Sequence, residues 1–206
     1  MSRVHPSLRK IDDEELATVT NYPSVWTVWK KSSMAFHGTD GFSIYDNKGR
    51  LAFRVDNYSR KHKCFEGELL LMDGNGKAVI ALRPQQILSM HDRWSGFKGE
   101  DDLRTSYKTH VFSMRRRSIL QSCEEAEVFM DTPDDQSPVP SFRTEGCFKR
   151  RNCKILDSKG EEVAQISPKK VNKSVTLSDD VFNLIIQPAM DTELVMAFLV
   201  IMDRIC

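Results

Sequence analysis

The chain has 206 residues, of which 40% are hydrophobic, so it can bury a substantial core as one large domain or two small ones. Its 30 basic and 29 acidic residues give a net charge of +1, which excludes a global attraction to nucleic acid or acidic lipid and leaves only local patches. Five cysteines without Cys-x-x-Cys spacing, and a start without an apolar signal segment, indicate free thiols in an intracellular protein.

The chain is predicted to divide into an arm and one folded domain. Residues 1–23 contain Pro6, an acidic cluster and few large apolar side chains, which predicts a flexible N-terminal arm. Residues 24–206 predict a single domain, because strand signals of the same kind lie on both sides of the Pro-rich and Asp-rich segment 131–140.

Short apolar runs rich in β-branched and aromatic residues predict about a dozen strands. In chain order these runs are 25–29, 41–45, 51–55, 69–72, 78–82, 87–90, 94–97, 110–114, 128–130, 143–148, 153–156, 163–166, 173–177 and 181–186. The runs are too short and too closely spaced for strands that alternate with helices, so an antiparallel β fold is indicated.

Three pairs of runs are joined by the same motif, an Asp followed by two residues and then Gly. It occurs at Asp46–Gly49, Asp73–Gly76 and Asp157–Gly160. An Asp side chain can accept a hydrogen bond from the backbone two residues on, and Gly adopts a positive φ without strain. Each motif predicts a tight hairpin turn rather than a calcium loop, because none has the oxygen spacing or the distant Glu of an EF-hand.

The C-terminal segment predicts a buried helix over about residues 191–205. Leu194–Met202 is an unbroken apolar run, so a helix made from it would be apolar on every side and must be surrounded. Asp191 and Glu193 suit the N-terminal end of a helix dipole, and Arg204 suits its C-terminal end. Such a helix is about 22 Å long, shorter than the roughly 30 Å hydrocarbon core of a bilayer, so no transmembrane span is predicted.

A closed barrel is the architecture that covers such a helix on all sides. A sheet or a sandwich would cover only one or two sides. Eight strands enclose side chains alone, so a barrel around a helix about 10 Å wide needs about eleven or twelve strands. We therefore predict a mainly β fold, a single closed antiparallel barrel of about twelve strands around a central C-terminal α-helix.

Several motifs resemble the LURP-one-related family of plants, which has the tubby C-terminal-like fold and is distantly related to the phospholipid scramblases. The resemblance covers about residues 24–205. It is carried by Trp26–Lys31, Gly41–Asp46, Phe53–Tyr58, Leu71–Asp73, Leu88–Trp94, Val111–Arg117 and Val195–Asp203. The family implies a barrel around a central helix and a link to plant defence, and it offers no catalytic motif. Scramblases carry a Pro-rich arm and a Cys-rich palmitoylated stretch, which this chain lacks, so lipid scrambling is not implied.

The sequence contains no recognisable catalytic or metal-binding constellation, and we predict no enzymatic activity and no cofactor. His91 and Asp92 stand side by side, but neighbouring residues on a strand point to opposite faces. The histidines have no metal-ligand spacing, and no phosphate-binding loop occurs in the sequence. Cys147 and Cys153 flank cations that would lower a thiol pKa, yet packing within strands is the preferred interpretation.

Clusters of basic residues are the remaining candidates for a binding site. They are Arg60–Lys63, Arg115–Arg117, Lys149–Arg151, and Lys169–Lys170 with Lys173. If two of them converge, they form an anion site suited to phosphoinositide headgroups, as tubby-like domains use; otherwise they are solvated strand ends balanced by carboxylates. The candidate anion-binding or lipid-binding residues are Arg115, Arg117, Lys149, Arg150 and Arg151.

Two kinds of function stay open, and an enzyme of unrecognised type is a remote third. The first is a non-enzymatic module that attaches reversibly to anionic phospholipid membranes, and the resemblance suggests plant defence as its setting. The second is a protein-interaction scaffold that uses the barrel surface and the acidic residues of Asp131–Asp135. Nucleic acid is not expected as a partner, because the sequence has neither a recognition helix nor aromatics interleaved with the basic residues. We expect a monomer in the cytoplasm or nucleus, or at the membrane surface.

Overall fold

The residues that the structure describes form a closed barrel of twelve antiparallel strands around one α-helix. The computed structural model describes residues 21–30, 41–57, 67–85, 93–99, 109–117, 125–131, 139–172 and 174–206. The elements are β1 (Ser24–Lys30), β2 (Phe42–Tyr45), β3 (Leu51–Asn57), β4 (Leu69–Asp73), β5 (Ala78–Gln85), β6 (Arg93–Lys98), β7 (Thr109–Arg116), β8 (Ala126–Met130), β9 (Phe142–Cys147), β10 (Asn152–Asp157), β11 (Glu162–Pro168), β12 (Val181–Ile186) and α1 (Thr192–Ile205). The predicted fold class is confirmed.

Each strand pairs with its neighbours in the sequence, and β1 closes the barrel by pairing with both β2 and β12. Inward-facing side chains alternate with outward-facing ones, as in Phe182, Leu184 and Ile186 of β12, which are all buried. Closure leaves no free edge among these twelve described strands, and the inner faces of the strands form one core together with the helix.

The three Asp-x-x-Gly motifs form the predicted hairpin turns. In each, the Gly N–H donates to the Asp carbonyl at 3.0 Å, and the Gly φ is between +75° and +87°. The Asp carboxylate accepts from the backbone N–H groups two and four residues further on. The adjoining ladders shift register, as expected for a type I turn closed by a residue in the left-handed region.

Helix α1 is buried along almost its whole length. Asp191 caps its N-terminus by accepting hydrogen bonds from the N–H groups of Glu193 and Leu194, at 2.8 and 3.3 Å. Every residue from Val195 to Met202 is fully buried. Burying an apolar side chain of this size stabilises a fold by about 1.5–3 kcal/mol, as an upper estimate, so the helix is a major part of the core.

Some predictions concern residues outside the described ranges, and one predicted strand does not match the structure. Residues 1–20 and the predicted strand at 87–90 are not described, so the flexible arm stays a prediction. The expected strand at 173–177 does not join the barrel: Thr176 makes a single bridge to Lys170. Val175 and Leu177 alternate with polar residues as in a strand, but the chain has just turned at Asn172 and pairs only locally.

Neighbouring strands alternate in direction, so each end of the barrel has its own set of connecting turns. At one end, Lys98 pairs with Glu193 at 3.0 Å at the start of α1, and the three Asp-x-x-Gly turns join strands there. We call it the turn end. At the other end, Lys30 pairs with Asp203 at 2.8 Å in the last turn of α1. We call that end the basic rim.

Candidate anion-binding site

Three of the predicted basic clusters lie on one arc of the basic rim. β7 ends at Arg116, β9 and β10 are joined by the turn Phe148–Arg151, and β11 ends at Pro168, directly before Lys169. In the strand order β8 lies between β7 and β9, and neighbouring strands are roughly 4.8 Å apart, so the three clusters share one end of the barrel on an arc that runs from β7 to β11. The cluster Arg60–Lys63 and Lys173 lie outside the described residues.

The turn Phe148–Arg151 presents two cations at its tip. The Arg151 N–H donates to the Phe148 carbonyl at 2.8 Å, which closes the turn. Lys149 and Arg150 occupy the two central positions, and both are exposed. Arg151 has a φ of +51°, in the left-handed region that non-glycine residues rarely adopt.

Arg151 is buried, and it holds this turn in place. Its guanidinium lies between the rings of Phe148 and Phe182, at 4.5 and 4.3 Å from their centroids. Its Nε donates to the Asp179 carbonyl at 2.8 Å. Burial lowers the pKa of Arg151, and the charge of Asp203 opposes that shift. Among the predicted site residues, Arg151 therefore positions the turn instead of facing solvent.

Arg115 and Arg117 lie on the same arc but are already paired. Both Nε and Nη2 of Arg115 donate to Glu127, at 3.1 and 2.9 Å, and its guanidinium lies 4.8 Å from the Phe129 ring centroid. Arg117 pairs with Glu125 at 2.7 Å. Because each arginine has a glutamate partner across the β7–β8 ladder, this part of the rim adds little net positive charge.

Arg116, between them, points inward at the mouth of the barrel. Phe112 and Met114, which share its face of β7, are fully buried. The Nε of Arg116 is also buried, and it donates to no acceptor among the residues that the structure describes. A buried donor without a partner is costly, so an anion at the mouth would satisfy it.

A short hairpin follows β11 at the basic rim, and we call its described residues, 169–172 and 174–177, the rim hairpin. At its base, the Leu177 N–H donates to the Lys169 carbonyl at 2.8 Å. The Nζ of Lys169 donates to Thr27 Oγ1 at 2.8 Å and to Asn183 Oδ1 at 3.4 Å. The base is therefore fixed to the outer face of β1 and β12.

The tip of the rim hairpin carries both polar and apolar side chains. Lys170 bridges to Thr176, and the Val171 N–H donates to the Val175 carbonyl at 2.9 Å. Asn172 closes the tip, since its Oδ1 accepts from the Val175 N–H at 2.9 Å. All five of these residues are exposed.

A second polar cluster lies on the outer face of β6 and β7. Asp131 Oδ2 is 3.1 Å from His110 Nδ1, and His110 Nε2 is 3.1 Å from Ser113 Oγ and 3.3 Å from Ser95 Oγ. The order carboxylate, imidazole, hydroxyl is that of a serine hydrolase. However, Ser95 is fully buried and also accepts from Gln85. The cluster is best explained as a network that satisfies a buried hydroxyl between strands.

The other chemical candidates are structural or undescribed. Cys153 is buried in the barrel core, and burial raises the pKa of its thiol to about 12, which disfavours the reactive thiolate; the packing interpretation is confirmed for this residue. Cys147 is a free thiol as well. His91 and Asp92 are outside the described residues. Within the described ranges, no group of three His, Cys, Asp or Glu residues is suited to hold a metal ion.

Comparison with known proteins places the chain in one family. The family model described as LURP-one-related matches residues 24–203, which is almost the whole barrel and helix. The chain belongs to the LURP-one-related family. Protein LURP-one-related 12 of Arabidopsis thaliana is 36% identical over 177 residues, which cover 85% of this chain and 75% of that protein. Protein LURP-one-related 8 of the same plant is 31% identical and is covered to 97%.

A solved structure has the same fold as this LURP-one-related protein. An X-ray structure of a protein from Arabidopsis thaliana superposes with a TM-score of 0.60 at 21% identity, over 89% of this chain and 91% of that one. At that identity the likeness concerns the fold alone. The names of the LURP-one-related relatives state no enzymatic activity. In the described part of the chain, no helix is both long enough and apolar enough to span a bilayer.

Some residues of the site in this LURP-one-related protein were not singled out from the sequence. Trp29, Val171 and Val175 are exposed apolar side chains at the basic rim. Trp29 and Val175 fall in predicted strands and Val171 falls in none, and the sequence pattern does not show that these side chains are exposed. Lys30 gave no signal either, because its Asp203 partner is far away in the sequence.

Proposed function

We propose that this LURP-one-related protein is a non-enzymatic module that attaches reversibly to anionic phospholipid membranes through the basic rim. The observation that supports the proposal is that basic clusters at the end of β7, in the β9–β10 turn and after β11 lie at the same end of the barrel, with Lys149, Arg150 and Lys170 exposed. Phosphoinositide headgroups are the proposed ligands, because their phosphates concentrate negative charge that several cations on one arc can bind together. The module works inside plant cells, in defence against pathogens.

Lys149 and Arg150 make the first contacts. They are exposed at the two central positions of the β9–β10 turn. Each cation near an anionic membrane surface contributes about 1 kcal/mol. Lys170, exposed on the rim hairpin, adds a third, and the buried Nε of Arg116, which has no acceptor among the described residues, supplies a hydrogen bond donor at the barrel mouth. Together they support weak attachment that reverses when salt is raised.

The other predicted residues have supporting roles. Arg151 keeps the Phe148–Arg151 turn in its left-handed closure, so it sets where Lys149 and Arg150 point. Arg115 and Arg117 exchange part of their pairing with Glu127 and Glu125 for phosphate oxygens when a headgroup is bound. Carboxylates on the arc also prevent tight attachment to any anionic surface, which favours densely charged headgroups.

The experiment is co-sedimentation with liposomes, with and without phosphoinositides, at low and at physiological salt. We expect wild-type protein to pellet with phosphoinositide vesicles and to be released as salt screens the charges. The variant Lys149→Glu/Arg150→Glu, which is expected to fold because both side chains are exposed, should stay in the supernatant.

A matched control makes the same charge change at the turn end. Lys48→Glu/Lys159→Glu also reverses two exposed cations at the tips of tight turns, so the net charge of both variants is equal. The control should pellet much like wild type. If wild-type protein stays in the supernatant under every condition, membrane attachment is excluded, and the scaffold function with protein partners takes its place.

A further inference from the structure

The rim hairpin combines exposed apolar and cationic side chains at one tip. Val171 is 66% exposed and Val175 is 48% exposed, and they face each other across the hairpin. Lys170 directly precedes Val171. Two exposed valines at a turn tip are unfavourable in water, because each leaves apolar surface hydrated that burial would remove.

The tip stands free of the barrel. Lys170, Val171, Asn172, Val175 and Thr176 are all exposed, although successive residues of a hairpin point to opposite faces. Both faces of the tip are therefore accessible, while its base is held by the Lys169 side chain. Because its base is fixed and its tip is accessible, the hairpin can insert its tip into an apolar environment without unfolding.

Trp29 lies on the same side of the rim. It is on the outer face of β1 and is 47% exposed. Lys169 of the rim hairpin contacts Thr27, which shares this outer face two residues earlier. Tryptophan is enriched at the level of lipid headgroups, because its ring is amphipathic.

We propose that the rim hairpin is a membrane wedge: Val171 and Val175 enter the interfacial layer of an anionic bilayer, with Trp29 at headgroup level and Lys170 on lipid phosphate. This inference rests on the proposed function and names its binding mode. Weak membrane anchors work in pairs, and here a cationic patch and a small apolar insertion supply the two signals.

The size of the apolar patch favours a membrane over a protein partner. A stable protein interface buries about 1,200–2,000 Å² around a well-packed apolar centre, which two valines and one tryptophan edge do not provide. A bilayer requires only a few small insertions next to cations.

The test compares vesicle binding of the wild type, Val171→Ser/Val175→Ser and Val171→Phe/Val175→Phe at physiological salt. The vesicles contain phosphatidylcholine with or without phosphoinositide. Uncharged replacements leave the electrostatic attraction intact. We expect the serine variant to bind roughly three- to tenfold more weakly and the phenylalanine variant to bind more tightly by a similar factor.

Val139 provides the matched control. It is a 60% exposed valine just before β9, at the turn end. Val139→Ser and Val139→Phe should bind as wild type does. If the rim variants also bind as wild type does, the wedge is overturned while the proposed function stands; if wild-type protein binds no vesicle, both are overturned.

Insertion is measured directly by brominated lipids, which quench nearby tryptophan. Quenching of wild-type fluorescence that disappears in Trp29→Phe supports the wedge. Equal residual quenching in both proteins contradicts it, because Trp26 and Trp94 are packed against the core.

Discussion

One turn at each end of the barrel, Asp157–Gly160 and Phe148–Arg151, has the same backbone form but is held by different means. At the turn end, Asp157 accepts backbone hydrogen bonds and Gly160 supplies the positive φ, so the turn is stabilised within its own residues. At the basic rim, Phe148 replaces the Asp and Arg151 occupies the left-handed position. That turn depends on Phe182 and Asp179, which lie far along the chain.

The difference shows how a turn can be specialised for binding. In a self-contained turn such as Asp157–Gly160, the Asp carboxylate is occupied by hydrogen bonds within the turn. In the turn held from outside through Arg151, both central residues, Lys149 and Arg150, are exposed to solvent. The cost is strain at a non-glycine residue with a φ of +51°, which is typically found where function requires it.

The largest effect is expected where both ends depend on one element, at Phe198. Its ring packs on Phe112 and Phe142, at 4.9 and 5.6 Å between centroids. Phe198→Ala should lower the free energy of unfolding by about 3–5 kcal/mol, because it leaves a cavity in the middle of the helix. Urea denaturation measures this. Phe198→Leu should cost clearly less, and equal values for both substitutions would contradict the packing.

The ion pairs at the two ends of α1 should differ next. Asp203 is only 6% exposed and pairs with Lys30, so Asp203→Asn should cost about 2–3 kcal/mol by leaving a partly buried cation unpaired. Glu193 pairs with Lys98 at the turn end, where both side chains are about 40% exposed. Glu193→Gln should cost less than about 1 kcal/mol and lose that in high salt. Similar losses in urea denaturation would remove this distinction.

Substitutions at Arg151 and Gly160 sharpen the comparison of the turns. Arg151→Gly should be about 1 kcal/mol more stable than Arg151→Ala, because glycine tolerates the positive φ, yet both should be less stable than wild type because the stacking on two rings is lost. Gly160→Ala should cost about 1–2 kcal/mol. Thermal or urea unfolding gives all three values. An Arg151→Gly variant more stable than wild type would show that stacking does not stabilise the turn.

The smallest effect concerns pH and Asp46 at the turn end. The pKa of Asp46 is lowered below its ordinary value of 3.8, first because the Arg50 backbone N–H donates to the carboxylate. A lowered pKa in the folded state contributes stability at pH above 3.8, and this stability is lost as the pH falls through the folded-state value. Asp46→Asn should therefore show a smaller loss of stability on acidification. A titration by NMR that gives Asp46 an ordinary pKa would contradict this account.

The sequence was sufficient to predict the barrel because its signals are local. The Asp-x-x-Gly turns fix their own geometry, and an apolar run such as Leu194–Met202 demands enclosure whatever the details of the strands. The hairpin at 169–177 shows the limit of such signals: alternating residues indicated a strand, but whether a strand joins the sheet depends on partners that the pattern does not contain.

The site was less predictable because charge and exposure depend on register. Arg115, Arg117 and Arg151 are the same residue type, so the sequence does not distinguish their surroundings. Two are paired with glutamates through the β7–β8 alignment, and the third is buried through contacts with β12 and the residues before it. The position of the clusters on one arc also required the strand order. The sequence therefore identifies the cationic residues but does not show which of them are exposed to solvent.

The most direct test of the difference between the two ends is lysine footprinting of the wild-type protein with and without phosphoinositide vesicles. Acetylation is read out by mass spectrometry for Lys149 and Lys170 at the basic rim, and for Lys48 and Lys159 at the turn end. All four are exposed. The account predicts that vesicles protect the rim lysines and leave the turn-end lysines unchanged. Equal protection of both ends, or protection of the turn end alone, would contradict it.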